Sequence, residues 1–339
     1  MASPFEISKP HPNETSLLDV SNELLFTFNY VAVVLSETLS VLGVILNIMN
    51  AMVFLKMGLN DSTSISLFSL SLADVGLLLM MAAYGVLFHP WMLETVDADL
   101  IDAVNYIALG WPHVCFSRIS GCLTAFIALE RFICIVLPLR VKSIVTQRRT
   151  LLACGGIFAS LIAGTTPAFF SYSIGERFSQ LHNKTTVGLI PSQHSYVLEN
   201  ISLSVNILAQ MTSFTLVTSL TIATVQTFLE KSEWRKSIST SAKNFNISSR
   251  DRKLVKMVIL ISASFIVCTF PAVVGTVAML VSKDYNVNGR YKNLFLATFS
   301  VFFHLESLNS SVNFFIYIYM SSKFKKSLLS WLRLKDNRK

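Results

Sequence analysis

At 339 residues the chain has the length of two or three soluble domains, but its composition excludes that organisation. Hydrophobic residues make up 52% and charged residues only 14%, against about 25% charged in ordinary globular proteins. The net charge of +8 would suit nucleic acid, but the basic residues sit in short connections between apolar runs, which points to membrane topology instead.

A 27-residue N-terminal tail carries the glycosylation sequon Asn13-Glu14-Thr15. Seven apolar runs follow, near Phe28–Leu55, Ile65–Phe88, Ala103–Val136, Leu151–Tyr172, Leu198–Leu229, Leu254–Val281 and Leu294–Met320. Runs of about 20 residues cross a bilayer as helices, because backbone groups in lipid must be satisfied internally. The expected fold is an all-α membrane protein, a seven-helix bundle. It divides into an external tail (1–27), the bundle (28–320), and a short amphipathic helix with a cytoplasmic tail (321–339).

The connections after the first, third and fifth runs, with the tail, hold most of the Lys and Arg residues. The connection after the second run has Glu94, Asp97, Asp99 and Asp102 and no base. Positive residues stay inside, so the N-terminus is expected outside and the C-terminus in the cytoplasm, in a multi-pass plasma-membrane protein. Contact of the basic loops with anionic membrane lipid is an additional reading. The first apolar run starts too late and is too long for a signal-peptide core, so it is expected to act as its own insertion signal. Asn183 and Asn200 are further sequons on the outer side, while Asn60 and Asn246 match on the inner side. The five cysteines, Cys115, Cys122, Cys134, Cys154 and Cys268, fall in or at the ends of the runs, so no disulfide across the outer loops is expected. No metal-ligand spacing, phosphate-binding glycine loop or nucleophile motif occurs, so no enzyme activity is expected.

Polar groups inside a bilayer are expensive, and each is a functional candidate. Asp74 lies mid-run in the second segment, Asn47 in the first, Ser120 in the third, and Asn309, Ser310 and Asn313 in the seventh. Asn309 and Asn313, four residues apart, share one helix face. The set suits a hard cation or an ordered water cluster, or else serves as polar glue between helices. Nearer the inner end, Ala128–Val141 reads ALERFICIVLPLRV, where Glu130-Arg131 closes an apolar helix ahead of a basic loop.

These features resemble the rhodopsin-like (class A) G-protein-coupled receptors over residues 28 to 332. Asn47 and the SLSLAD segment ending at Asp74 match the motifs of the first two helices. Glu130-Arg131-Phe132 looks like the DRY motif, Cys268-Thr269-Phe270-Pro271 resembles CWxP, and Leu308 to Tyr317 resembles LNSSxNPxxY. Ser321 to Lys326 resembles the amphipathic helix that follows. The resemblance implies a sodium or water pocket at Asp74, Ser120, Asn309, Ser310 and Asn313, with sodium as an allosteric modulator and no other cofactor. It implies a heterotrimeric G protein as partner, engaged by a switch comprising Glu130, Arg131, Asp251 and Tyr317. Asp251 stands where many relatives keep an acidic partner for the arginine. The departures are equally specific. Tyr106 stands where most relatives carry the external-loop cysteine, Thr269 replaces a tryptophan, and Phe314 replaces a proline. Without the disulfide the second external loop is expected to be looser than usual. The Phe116 to Ser120 segment together with the ERF triplet is similar to molluscan-type chemosensory receptors.

The ligand is expected to be a small molecule or a peptide. His113 lies on the inward face where amine-binding relatives carry an aspartate; it is a ligand contact or a packed residue. Arg118 and Glu306 are too deep to snorkel; they form a structural ion pair or offer complementary charges to a ligand. Ser117, Thr269 and Phe303 complete the candidate contacts. The alternative class is a seven-helix transporter or channel, which predicts paired repeats or broken helices in matching halves. None is visible.

Overall fold

The computed structural model describes residues 22–179, 184–238, 249–286 and 289–332. Its long helices are α1 (Asn22–Met57), α2 (Ser62–Leu87), α5 (Trp111–Val136), α7 (Gln147–Thr165), α8 (Ser195–Ile238), α9 (Ser249–Val281) and α10 (Lys292–Met320). Short helices α3 (Pro90–Thr95), α4 (Ala98–Val104), α6 (Val141–Ile144) and α11 (Ser322–Trp331) lie between or after them. Strands β1 (Tyr172–Ser179) and β2 (Lys184–Pro191) form one antiparallel hairpin.

Among the described residues, six helical spans are long and apolar enough to cross a membrane, including Val34–Met57, Ser62–Leu87 and Lys253–Val281. The seventh, α10, is long enough at 29 residues but more polar, because Glu306, Asn309 and Asn313 interrupt its apolar sequence. All three are buried against the other helices. The bundle thus reverses the usual arrangement. Leu42, Leu152, Leu208, Val267 and Val274 point outward, while Ser40, Asn47, Asn50, Ser71 and Asp74 are buried. Lipid solvates an outer apolar face, so the polar groups must find partners inside.

Helix α5 packs against α2, α7, α8 and α9 and forms the centre of the bundle, while α1 packs on α2 and α10. The largest apolar cluster joins Val53, Leu67, Leu70, Ile119, Leu123, Ile127 and Met257 across four helices. Close approach of α1 requires Gly43: a Cβ there would lie 2.9 Å from a Leu78 methyl and 2.3 Å from Ser311 Oγ. Helix α11 lays Phe324 and Leu328 into the bundle and leaves Lys323, Lys325 and Lys326 exposed. Phe324 meets Phe54 at 5.3 Å and Tyr317 at 5.6 Å between ring centroids. Ser321 caps this helix by accepting from the Phe324 N–H at 3.2 Å.

Two spans, the third and the fourth, depart from the sequence expectation near their outer ends. The third span begins at Ala98 and includes a π-helical segment, Asn105–Gly110, immediately before Trp111-Pro112. Pro112 lacks an N–H and its ring crowds the preceding turn; the wider π turn accommodates both. The fourth span leaves α-geometry at Thr165 for the 3-10 segment Thr166–Phe170, again at a proline, Pro167. Helix α10 runs without interruption through Asn313-Phe314, where a proline would have removed a backbone donor.

The hairpin corrects the expectation of a loose outer loop. Its strands pair from Tyr172↔Pro191 to Ser179↔Lys184. It is fastened to α4 by Asp99, which accepts from Arg177 Nη2 and Thr186 Oγ1, both at 2.5 Å. Gly188 makes room for that arginine, since a Cβ there would lie 2.7 Å from Arg177 Nε. At the base of the hairpin the Tyr106 hydroxyl donates to Glu199 Oε1, and Tyr106 meets Tyr172 edge-on at 5.0 Å. Burial, and then the Glu199 carboxylate, hold the Tyr172 hydroxyl above its ordinary pKa, so it stays protonated. A charged and aromatic clasp stands where a covalent one was missing.

Hydrogen bonds to a charged group contribute about 1.5–3 kcal/mol. Asp99→Ala is therefore expected to raise amide hydrogen exchange across 172–191 by about tenfold or more. Reductant should leave that exchange unchanged. Hydrogen-exchange mass spectrometry on the purified chain checks both; unchanged protection in the variant would show that β1 and β2 hold themselves.

Candidate functional site

Three polar clusters lie along the bundle. The middle one is built on Asp74, which is fully buried. Its Oδ1 accepts from Ser120 Oγ at 2.7 Å and Ser310 Oγ at 3.0 Å, and its Oδ2 accepts from Asn313 Nδ2 at 2.9 Å. One carboxylate thereby joins α2, α5 and α10. Asn47 Nδ2 extends the network by donating to the Ser310 carbonyl at 2.9 Å and to the Gly43 carbonyl at 3.0 Å. Asn309 is buried beside this set but lines the adjoining cavity rather than bonding Asp74. The Asn313 Oδ1 atom is buried with no hydrogen-bond partner among the described residues. An orphaned amide oxygen next to a carboxylate and two hydroxyls fits the oxygen ligands a hard monovalent cation takes, and equally a bridging water.

The inner cluster surrounds Glu130-Arg131. Glu130 is 2% exposed and points away from its neighbour. Its carboxylate accepts from Ser62 Oγ, from Ser66 Oγ at 2.8 Å and from Thr150 Oγ1 at 3.1 Å. Hydroxyls from α2 and α7 thus replace the waters a carboxylate loses on burial. Arg131 donates from Nη2 to Thr63 Oγ1 at 2.7 Å, and its Nε has no partner among the described residues. Asp251 falls in the first turn of α9; its side chain lies outside the described residues. Tyr317 is 1% exposed, packs edge-on to Phe54 at 5.3 Å, and buries a hydroxyl without a partner among the described residues.

The third cluster lines a small cavity of about 20 Å³, room for about one water, on the hairpin side of Asp74. Ser117, Arg118, Thr269 and Glu306 line it, joined by Gln210 and Ser213 from α8. Arg118 Nη2 lies 3.6 Å from Glu306 Oε1, and His113 Nε2 lies 3.7 Å from Glu306 Oε2. The His113 ring meets Phe303 edge-on at 4.9 Å. The six candidate ligand contacts read from the sequence therefore lie in or beside one space, and Arg118 and Glu306 do pair.

Sequence reasoning missed Gln210, whose position mid-span should have marked it as an intramembrane polar residue. It also missed Ser62, Thr63, Ser66 and Thr150. Hydroxyls are too common in membrane helices for those four to stand out. Asn13 and Asn183 lie outside the described residues. Asn200 is exposed on α8, with its Nδ2 donating to the Tyr196 carbonyl at 2.7 Å.

The family model for the 7 transmembrane receptor (rhodopsin family) matches residues 47–317. The chain is 26% identical to neuromedin-U receptor 2 of Homo sapiens, over 84% of this chain and 67% of that receptor. It is 24% identical to lysophosphatidic acid receptor 4 of Homo sapiens, over 93% of this chain and 80% of the relative. It is 23% identical to a QRFP-like peptide receptor of Branchiostoma floridae, over 81% and 70%.

A Glu130→Gln substitution keeps the shape but replaces an acceptor oxygen with a donor facing hydroxyls. It is expected to cost about 1–3 kcal/mol and to lower the Tm of the purified chain. An unchanged Tm would mean that the three hydroxyls find other partners.

Proposed function

This chain belongs to the rhodopsin family of seven-transmembrane receptors, and from that premise we propose how its three polar clusters divide the work. It is a ligand-sensing G-protein-coupled receptor with no catalytic chemistry. The observation that carries the division of labour is the Asp74 cluster, which hydrogen-bonds α2, α5 and α10 together between the cavity and Arg131.

In this reading the ligand enters the cavity from the hairpin side and touches His113, Ser117, Arg118, Thr269, Phe303 and Glu306. Contacts spread over α5, α9 and α10 bias a two-state bundle by as much as the ligand's affinities for the two states differ. The Asp74, Ser120, Asn309, Ser310 and Asn313 set relays the bias, with a sodium ion or waters completing the carboxylate's shell in the resting state. Sodium would be held by this chain's own oxygens and would tighten the link between α2, α5 and α10. At the inner end Glu130, Arg131, Asp251 and Tyr317 form the switch. Arg131 rests on Thr63, with Asp251 as the acidic partner that the family resemblance implies for the resting state, and its release presents it to a heterotrimeric G protein. The basic connection from Lys231 to Lys256 adds to that coupling surface, and anionic lipid steadies the exposed lysines of α11.

The basic connections support a plasma-membrane receptor with its N-terminus outside and glycans at Asn13, Asn183 and Asn200. One relative is named as a peptide receptor and another for lysophosphatidic acid, so likeness supports either a peptide or a lipid ligand; a chemosensory cue belongs to the same open set. The transporter alternative lacks a supporting observation.

Agonist-dependent nucleotide exchange on a G protein reconstituted with the purified chain tests the whole reading; solute flux without exchange would overturn it. Thr63→Val and Asp251→Ala are each expected to raise basal exchange severalfold, about fivefold for 1 kcal/mol removed from the resting state. Unchanged basal exchange in Asp251→Ala, at matched surface expression, would remove that residue from the switch. Asp74→Asn is expected to abolish the sodium dependence of agonist affinity, read by radioligand competition in sodium against N-methyl-glucamine buffer.

A further inference from the structure

The first turn of α7 holds three parts of the inner end at once. Thr150 Oγ1 donates to Glu130 Oε1 at 3.1 Å, beside Arg131. Gln147 Nε2 donates to the Leu59 carbonyl, in the first inner connection, at 2.9 Å. Arg149 Nη1 donates to the Ser143 carbonyl at 2.7 Å and to the Ile144 carbonyl at 3.2 Å, in the second inner connection. Thr146 caps the turn by accepting from the Arg149 N–H at 3.4 Å.

Arg149 is out of place by the rules of its own helix. A cation in a first turn faces the positive end of the helix dipole, and this turn has no acid to offset it. The side chain reaches instead to the C-terminus of α6, where the dipole and the unsatisfied carbonyls favour a cation. Helix α6 needs that support. It has four residues, and a single turn orders more backbone than its own hydrogen bonds offset. Ser143 and Ile144 carry its last carbonyls, which no later turn of the helix can use. Arg148 is the contrast: it is exposed, with no hydrogen bond or ion pair among the described residues. Retention of basic residues on the inner side accounts for Arg148 fully, and for Arg149 only in its charge. The held segment adjoins the switch, since α6 starts ten residues after Arg131 in sequence. Leu139, 86% exposed, and Arg140 lead into it, so it offers an apolar and basic surface.

Resting on the receptor reading above, we propose that the first turn of α7 is a bracket between the Arg131 switch and the second inner connection, and that Arg149 is the positioning residue that holds α6 ready for the G protein. Arg149 acts through α6 by keeping it helical before the encounter, so that binding does not have to order it. Its loss therefore weakens the encounter and leaves the exchange step alone.

Purified heterotrimeric G protein is titrated against the full-length chain in phosphatidylcholine nanodiscs, and agonist-free nucleotide exchange is followed by uptake of a fluorescent GTP analogue. Arg149→Gln is expected to raise the half-saturating G-protein concentration about fivefold, with the limiting exchange rate unchanged, the factor that corresponds to about 1 kcal/mol. Amide hydrogen exchange across 141–145 should rise with it. Arg148→Gln removes the same charge and is expected to leave both quantities at their wild-type values. Should the neutral variant fail to fold, Arg149→Lys carries the same comparison with a smaller shift in the same direction, because it keeps the charge and loses the planar fork. An equal shift in Arg148→Gln would assign the effect to bulk charge and overturn the proposal. So would unchanged amide exchange across 141–145, or a fall in the limiting rate at constant half-saturation. Wild-type turnover that Arg149→Gln leaves untouched would overturn this inference and leave the receptor reading standing. A wild-type chain that turns over no heterotrimer, with or without the bracket, would remove the receptor reading and the coupling role together.

Discussion

Lipid cannot hydrogen-bond, and the rest of this structure follows from that constraint. A soluble protein hides its apolar side chains; this bundle exposes them and hides hydroxyls, amides and carboxylates instead. Each hidden polar group then needs a protein partner, and the partners come from different helices. Asp74 is the clearest case. A buried carboxylate without hydrogen bonds would cost many kcal/mol, so three donors on two other helices are fixed around it. The polar interior is therefore what sets which helices are neighbours and in which rotation.

The same constraint makes the interior responsive. Apolar packing in the large cluster around Ile119 and Leu123 tolerates small shifts, whereas a hydrogen bond is lost within about an ångström. A bundle held together at mid-depth by directional bonds has discrete arrangements rather than a continuum. The inner cluster carries the same logic. Glu130 is committed to three hydroxyls on α2 and α7, which leaves Arg131 unpaired with its own neighbour and available to Thr63. Had Glu130 and Arg131 paired with each other, both would be satisfied locally, and neither would report on the position of α2.

Toward the hairpin end, a polar clasp does the work a disulfide would do. Arg177 and Thr186 on Asp99, with Tyr106 on Glu199, place three contacts across α4, the π-helical segment, the hairpin and α8. A covalent bond restricts chiefly the unfolded chain, whereas these contacts stabilise only the folded one. Their strength depends on salt and on the surrounding charges, so the hairpin is held by an interaction of finite, tunable strength.

The sequence by itself determined the seven spans, the amphipathic final helix and the family, because hydropathy and short motifs are local and lipid imposes helix on any long apolar run. It also singled out Asp74, Ser120, Ser310 and Asn313, since a polar residue inside such a run is conspicuous. It erred on the outer loop, where the absence of cysteine said nothing about Asp99, 78 positions from Arg177 in sequence yet bonded to it. It could not choose between pairing and ligand contact for Arg118 and Glu306, nor find Thr63, Ser66, Thr150 and Gln210. Those decisions belong to the tertiary structure alone, because the rotation of each helix about its axis is set by which polar groups satisfy one another across the bundle, and that satisfaction is a property of helices together rather than of any one.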